Sequence, residues 1–133
     1  MKITNKLKEH GSFTFEKKGQ LIISRAYDAW NKETAQSMCS ECLKLAQSIK
    51  DKPWAILVDL TQWEFGTPDM WEPIEELNQW ANKNNQKFEA VVCSLNIQQK
   101  LLEKSHEIFT EVNSQFFKTE NDALQWLKSN GIE

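Results

Sequence analysis

The chain of 133 residues is poor in the residues that punctuate or staple a fold, with four glycines, three prolines and three cysteines. So little glycine leaves no Gly-rich loop that could cradle a phosphate. An odd, sparse set of cysteines excludes a disulfide framework and points to a reducing compartment. No apolar run approaches the roughly 20 residues that a membrane span needs. The start, Met1-Lys2-Ile3-Thr4-Asn5-Lys6-Leu7-Lys8, has charge but no apolar segment behind it, so it does not read as a secretory signal. Nor is there an excess of positive charge, since the formal net charge is −3. A nucleic-acid binder normally shows a basic stripe, and charge alone gives no support to binding anionic membranes. These absences predict a cytoplasmic protein with no nucleic-acid partner and no transmembrane segment.

What remains is an ordinary globular composition, 40% hydrophobic and 26% charged, in a length that suits one domain with its own core. Residues 1–11 read as a polar lead-in and residues 12–130 as the domain. Ser12-Phe13-Thr14-Phe15-Glu16 alternates, Lys17-Lys18-Gly19-Gln20 turns, and Leu21-Ile22-Ile23-Ser24 returns, which makes a β-hairpin. Asn31 is an N-cap candidate. After it Ala35, Met38, Cys39, Cys42, Leu45, Ala46 and Ile49 form a stripe of period 3.6.

Trp54-Ala55-Ile56-Leu57-Val58 is a continuous apolar run closed by Asp59, the pattern of a strand covered on both faces. Pro68 opens a second helix with Met70, Ile74, Leu77 and Ala81 on one face. Residues 87–94 form a further strand. Ile97, Leu101, Ser105, Ile108 and Val112 align on a third helix, residues 115–118 make a short last strand, and Thr119 or Asn121 caps a final helix. A hairpin followed by three βα crossovers predicts an α/β domain. Its sheet has about five strands, mostly parallel with an antiparallel edge, and four main helices accompany it.

No set of residues spells out a reaction. Cys39-Ser40-Glu41-Cys42 matches the spacing of a redox pair but lies on the apolar stripe well inside its helix, where cysteines pack as small hydrophobes. Cys93 and two distant histidines do not complete a metal site. Glu72, Glu75 and Glu76 suit a helix start better than an acid–base pair. No cofactor is expected. The informative place is the exit from the buried strand, the sheet edge where open α/β proteins put their sites. Asp59 lies there, and Trp63, Phe65 and Trp71 crowd the loop that follows, with Trp71 off the helix stripe and expected to face outward. Tyr27 and Trp30 follow a strand that should end on the same side. These aromatics either roof the core or form a contact site.

Four stretches in this order resemble the SpoIIAA-like (STAS) superfamily, and most of all its small stand-alone bacterial STAS/SEC14-domain proteins. They are the hairpin from Phe13 to Ile23, Tyr27-Asp28-Ala29-Trp30-Asn31-Lys32-Glu33-Thr34, Trp54-Ala55-Ile56-Leu57-Val58-Asp59-Leu60, and Phe116-Phe117-Lys118-Thr119-Glu120-Asn121-Asp122-Ala123-Leu124-Gln125-Trp126-Leu127. The resemblance implies a non-enzymatic SpoIIAA-like domain. In the anti-sigma-factor antagonists of that superfamily a serine at the start of the second helix is phosphorylated and switches partner binding. The corresponding Asp-Ser-Ser-Gly would fall near Thr67-Pro68-Asp69-Met70, where the serine is absent and Asp69 lies close to its place. Asp69 then reads as a helix cap, and Thr67 is the remaining candidate phosphoacceptor. The expected function is regulatory contact with an unidentified protein through the loop and helix after the central strand. The alternative is a carrier or sensor of a small apolar or lipid-like molecule, with peripheral membrane contact as the second and third helices part. A symmetric homodimer is open to any such domain.

Overall fold

The computed structural model describes residues 10–132. Residues 1–9 of the expected lead-in lie outside the described residues. The elements follow as β1 (Ser12–Lys18), β2 (Leu21–Trp30), α1 (Lys32–Gln47), β3 (Trp54–Gly66), a 3-10 turn (Pro68–Met70), α2 (Trp71–Asn82), β4 (Gln86–Val92), α3 (Asn96–Ser105), a second 3-10 turn (His106–Ile108), β5 (Asn113–Phe117) and α4 (Glu120–Ser129). The sheet runs β1-β2-β3-β4-β5, with β1 antiparallel to β2 and all other pairs parallel. This is the expected α/β architecture, antiparallel edge strand included.

Local chemistry explains the element boundaries. Asn31 caps α1 by accepting the Thr34 N–H at 3.1 Å, and Thr119 caps α4 by accepting the Asp122 N–H at 3.1 Å. Gly19, at φ +57°, turns the hairpin. The His10 N–H donates to Thr34 Oγ1 at 2.9 Å, which ties the backbone ahead of β1 to the start of α1.

The sheet is covered on both faces. Leu21, Ile23, Ala55, Leu57, Ala90 and Val92 meet Ala123 and Leu127 of α4. On the other face Ile22, Trp54 and Ile56 meet Cys42, Ala46 and Ala81 of α1 and α2. Residues one apart in sequence therefore point into different cores, which is why the run from Trp54 to Val58 is apolar throughout.

Trp63 and Phe65 were expected in a loop, and the structure places them on a strand instead. β2 and β3 continue past the end of β4 as a ribbon, which β1 accompanies as far as Tyr27, pairing Tyr27 with Gln62, Asp28 with Trp63 and Trp30 with Gly66. Arg25 pairs with Asp59 and Tyr27 with Gln62, so β3 spends three residues where β2 spends two. That extra residue is a β-bulge. It repeats between Asp28 and Trp30, and the ribbon carries Asp28 at φ +62° and Phe65 at φ +73°. The ribbon closes where the Thr67 N–H donates to the Trp30 carbonyl at 3.1 Å.

The third helix also differs from expectation. α3 ends at Ser105, so Ile108 and Val112 lie beyond it. Its buried residues are Gln98, Leu102 and Ser105, while Ile97 is 59% and Leu101 39% exposed. Gln98 sets this rotation. Its amide donates to the carbonyls of Leu60 at 3.0 Å and Trp63 at 3.2 Å, satisfying backbone of the bulged ribbon.

Two substitutions test these features. Leu102→Ala is expected to cost about 2–5 kcal/mol in urea denaturation, against within about 0.5 kcal/mol for Ile97→Ala. The reverse order would restore the stripe read from sequence. Gly66→Ala should destabilise by about 1–3 kcal/mol, because its Cβ would press on Met70 Sδ and the Trp30 carbonyl. A neutral effect would mean that this contact is loose.

Candidate functional site

The bulge decides which predicted residues meet. Asp59 keeps the parity of Ala55 and Leu57 and stands on the α4 face of the sheet. After the bulge the parity reverses, so Trp63 falls on the other face and joins Trp30, Met70 and Leu102. Trp30 and Trp63 are buried, and their rings meet edge to face with centroids 6.5 Å apart. Phe13 extends the row from Trp30 at 6.1 Å, Trp71 extends it from Trp63 at 6.3 Å, and Phe65 tilts against Trp63 at 5.2 Å. Trp71, expected to face outward, is half-buried against this cluster. Its position off the helical stripe brings it over the ribbon, an element the sequence did not disclose.

Asp59 has separate partners. Its Oδ1 accepts the Thr61 N–H at 2.9 Å and the Thr61 hydroxyl at 2.7 Å, which satisfies backbone at the bulge itself. Burial, and then the neighbouring Glu120 carboxylate, hold the Asp59 carboxyl above its ordinary pKa, with the Thr61 bonds opposing. Arg25 grips Glu120 through two bonds of 2.8 and 2.9 Å. With a further bond from Asp59, that grip lowers Glu120 to about 2. The cluster fastens α4 to β2 and β3.

Thr67 and Asp69 are exposed on the turn between β3 and α2, and Tyr27 is half-buried on the ribbon. Asp69 does not cap the helix through its side chain. Its Oδ1 accepts the Thr67 hydroxyl at 2.5 Å, and neither the 3-10 turn nor α2 has a side-chain cap at its start. Helix continuity from the 3-10 turn, led by Pro68, replaces the cap. Cys39 and Cys42 carry no disulfide, and burial pushes each thiol up to about 12, which makes them inert packing groups. Among the described residues no group of three or more His, Cys, Asp or Glu side chains is placed to hold a metal ion, and no helix is long and apolar enough to cross a membrane.

No protein-family model and no curated protein sequence matches this chain. Solved structures do. An uncharacterized protein of the DUF3478 family with a SpoIIAA-like fold, from Shewanella loihica, is 16% identical with a TM-score of 0.71 over 89% of this chain and 95% of that one. The anti-sigma factor antagonist SpoIIAA in its unphosphorylated form is 7% identical with a TM-score of 0.65, covering 88% of this chain and 98% of that one. An anti-sigma factor antagonist from Mycobacterium paratuberculosis is 14% identical with a TM-score of 0.60, covering 90% and 95%. The chain has a SpoIIAA-like fold.

Within this SpoIIAA-like fold one polar pair escaped the sequence reading. Glu89 of β4 and His106 of the second 3-10 turn meet at 2.6 Å, with side chains only 9% and 10% exposed. The contact is one of charge more than of an aligned hydrogen bond. His106 lies between the rings of Phe109 and Phe116, at 5.4 and 5.9 Å. Glu89 could have been suspected, because a lone carboxylate amid Phe88, Ala90, Val91 and Val92 on an inner strand requires a partner. Burial pulls the His106 pKa down, but the charge of Glu89, its direct contact and the more distant Glu103 outweigh burial and leave it raised.

A raised histidine pKa stabilises the fold fully below the unfolded value and loses that contribution as pH rises through the folded value. In urea titrations from about pH 5.5 to about pH 9, the advantage of the parent over His106→Gln should be largest below about 6.5 and shrink above it. An advantage that stays constant across this range would show that the pair does not carry charge.

Proposed function

We propose that this SpoIIAA-like chain is a non-enzymatic regulatory module that acts in the cytoplasm by binding a protein at the turn of residues 66–69 and the start of α2. The observation that carries this reading is the combination of exposure and fixity in that turn. Residues 66–69 are all exposed. Yet Gly66 is wedged against Trp30 and Met70, the Thr67 N–H is bonded to the Trp30 carbonyl, and the Thr67 hydroxyl is bonded to Asp69. A surface already held in one conformation loses little entropy on binding. Two proteins of similar fold are described as anti-sigma factor antagonists, which supports a protein as the partner class.

Asp69 supplies a fixed negative charge where the resemblance would place a switchable serine. A phosphate on Thr67 would stand beside that carboxylate and meet like-charge repulsion. The turn is therefore read as constitutively charged, with Asp69 as its main polar contact and Thr67 as its support. The alternative drawn from the sequence, a carrier or sensor of a small apolar or lipid-like molecule, finds little room for a lipid-sized ligand beneath the ribbon. The cavity beneath the ribbon is about 80 Å³, against about 300–1,000 Å³ for sites that hold drug-sized ligands.

A photo-crosslinking residue placed at Thr67, compared with one at Lys52 at the other end of the sheet, tests the surface directly. Position 67 should capture a discrete protein that position 52 does not, and Asp69→Lys should weaken that complex by about tenfold or more, on the order of one lost charge-assisted contact. Equal capture at both positions, or a complex indifferent to Asp69→Lys, would remove this turn as the contact surface.

A further inference from the structure

The layer between the sheet and helices α1 and α2 is not completely filled. A cavity of about 80 Å³ lies there, walled by Trp30, Val58, Trp63, Met70, Ile74 and Leu77 among other mostly apolar groups. Three tryptophans of its wall are buried, and two have their indole N–H bonded. Trp30 Nε1 donates to the Ser12 carbonyl at 3.0 Å and Trp54 Nε1 to the Asn84 carbonyl at 2.7 Å. The third is Trp63, 5% exposed, whose Nε1 has no acceptor among the described residues. The rings around it, those of Trp30, Phe65 and Trp71, offer none, and Trp63 itself lines the cavity. A buried donor without an acceptor is costly, and buried donors in folded proteins nearly always have partners.

We propose that this cavity is a binding site for a small, uncharged, mostly apolar molecule bearing one acceptor oxygen, such as a short-chain ketone or ether, with the Trp63 indole N–H as its donor. Size, charge and polarity each narrow the class. An engineered apolar cavity of about 150 Å³ holds benzene, so one of about half that volume takes a molecule of only a few heavy atoms. The ionic group in the wall, Glu89, is already matched by His106, so a charged ligand would enter an apolar space with no counter-charge left for it. Water is the competing occupant, because Ser24, Asn78 and Ser105 also stand in the wall, and a buried water needs two to four polar partners. The site is internal and does not depend on the surface turn being a protein contact.

The test is NMR titration of the intact protein with 2-butanone, cyclopentane and butyrate. The indole N–H resonance of Trp63, assigned by its loss in Trp63→Phe, should shift saturably with butanone, and butanone should give cross-relaxation to the methyls of Met38 and Met70. Cyclopentane, which lacks the acceptor, should bind about three- to tenfold more weakly, and butyrate should not bind. In Trp63→Phe the ratio between butanone and cyclopentane should fall to about one. If that variant does not fold, the same ratio and the methyl contacts in the unsubstituted protein decide the matter. A Trp63 resonance that exchanges with water and answers to none of the three compounds would make the cavity a hydration site only and overturn the proposal, as would tighter binding of butyrate.

Discussion

The extra residue that β3 inserts after Asp59 is the constraint on which the rest of the structure depends. Up to Asp59 the strand alternates between two cores. Beyond it the alternation is reversed, and the chain carries Trp63 onto the face that α1, α2 and α3 cover. A bulge frees backbone groups, and the fold answers them with two side chains. The Asp59 carboxylate takes the Thr61 N–H from one face, and the Gln98 amide reaches the Leu60 and Trp63 carbonyls from the other. Asp59, the residue that first marked the edge of the sheet, thus shapes the site by holding the bend without lining it.

Gln98 then determines how α3 lies. A buried amide donor needs acceptors, and the ribbon supplies them to the Gln98 Nε2 group only if the helix turns its Gln98–Leu102–Ser105 face inward. The exposure of Ile97 and Leu101 follows from that choice. Glu89 and His106 repeat the logic one strand further on. A carboxylate on an inner strand is tolerable because the 3-10 turn after α3 brings an imidazole against it, between two phenylalanine rings. Polar groups within an otherwise apolar layer therefore set the position of α3 and of the turn that follows it, where hydrophobic pattern alone would have chosen another face.

The parts legible in the sequence were those governed by local rules. The hairpin followed from alternation around Gly19, the helix start at Asn31 from cap chemistry, with Thr119 one of two candidates for the last helix, and the buried central strand from its unbroken apolar run. The parallel sheet followed from the spacing of strands and helices. The ribbon was not legible, because a bulge leaves no signature in residue type and Thr61-Gln62 reads as polar loop. With the ribbon hidden, the sequence places Trp63 and Phe65 in a loop, turns Trp71 outward, and groups Asp59 with aromatics that lie across the sheet from it. The face of α3 is hidden for a related reason, since a stripe of Ile and Leu outweighs one Gln until the backbone acceptors for that Gln are known.

The same few side chains join the exterior turn to the interior cavity. Met70 lines the cavity and also bounds the space in which Gly66 must fit, while Trp30 lines the cavity and lends its carbonyl to the Thr67 N–H. A packed interior transmits displacement because its side chains have little free volume in which to absorb it. Here a poorly filled volume lies beneath a turn that is both exposed and fixed. An occupant of the cavity would press on Met70 and Trp30 from within, and those are the contacts that set the conformation of residues 66–69 on the outside. The coupling needs no long path through the fold, because the residues that line the cavity are the residues that hold the turn.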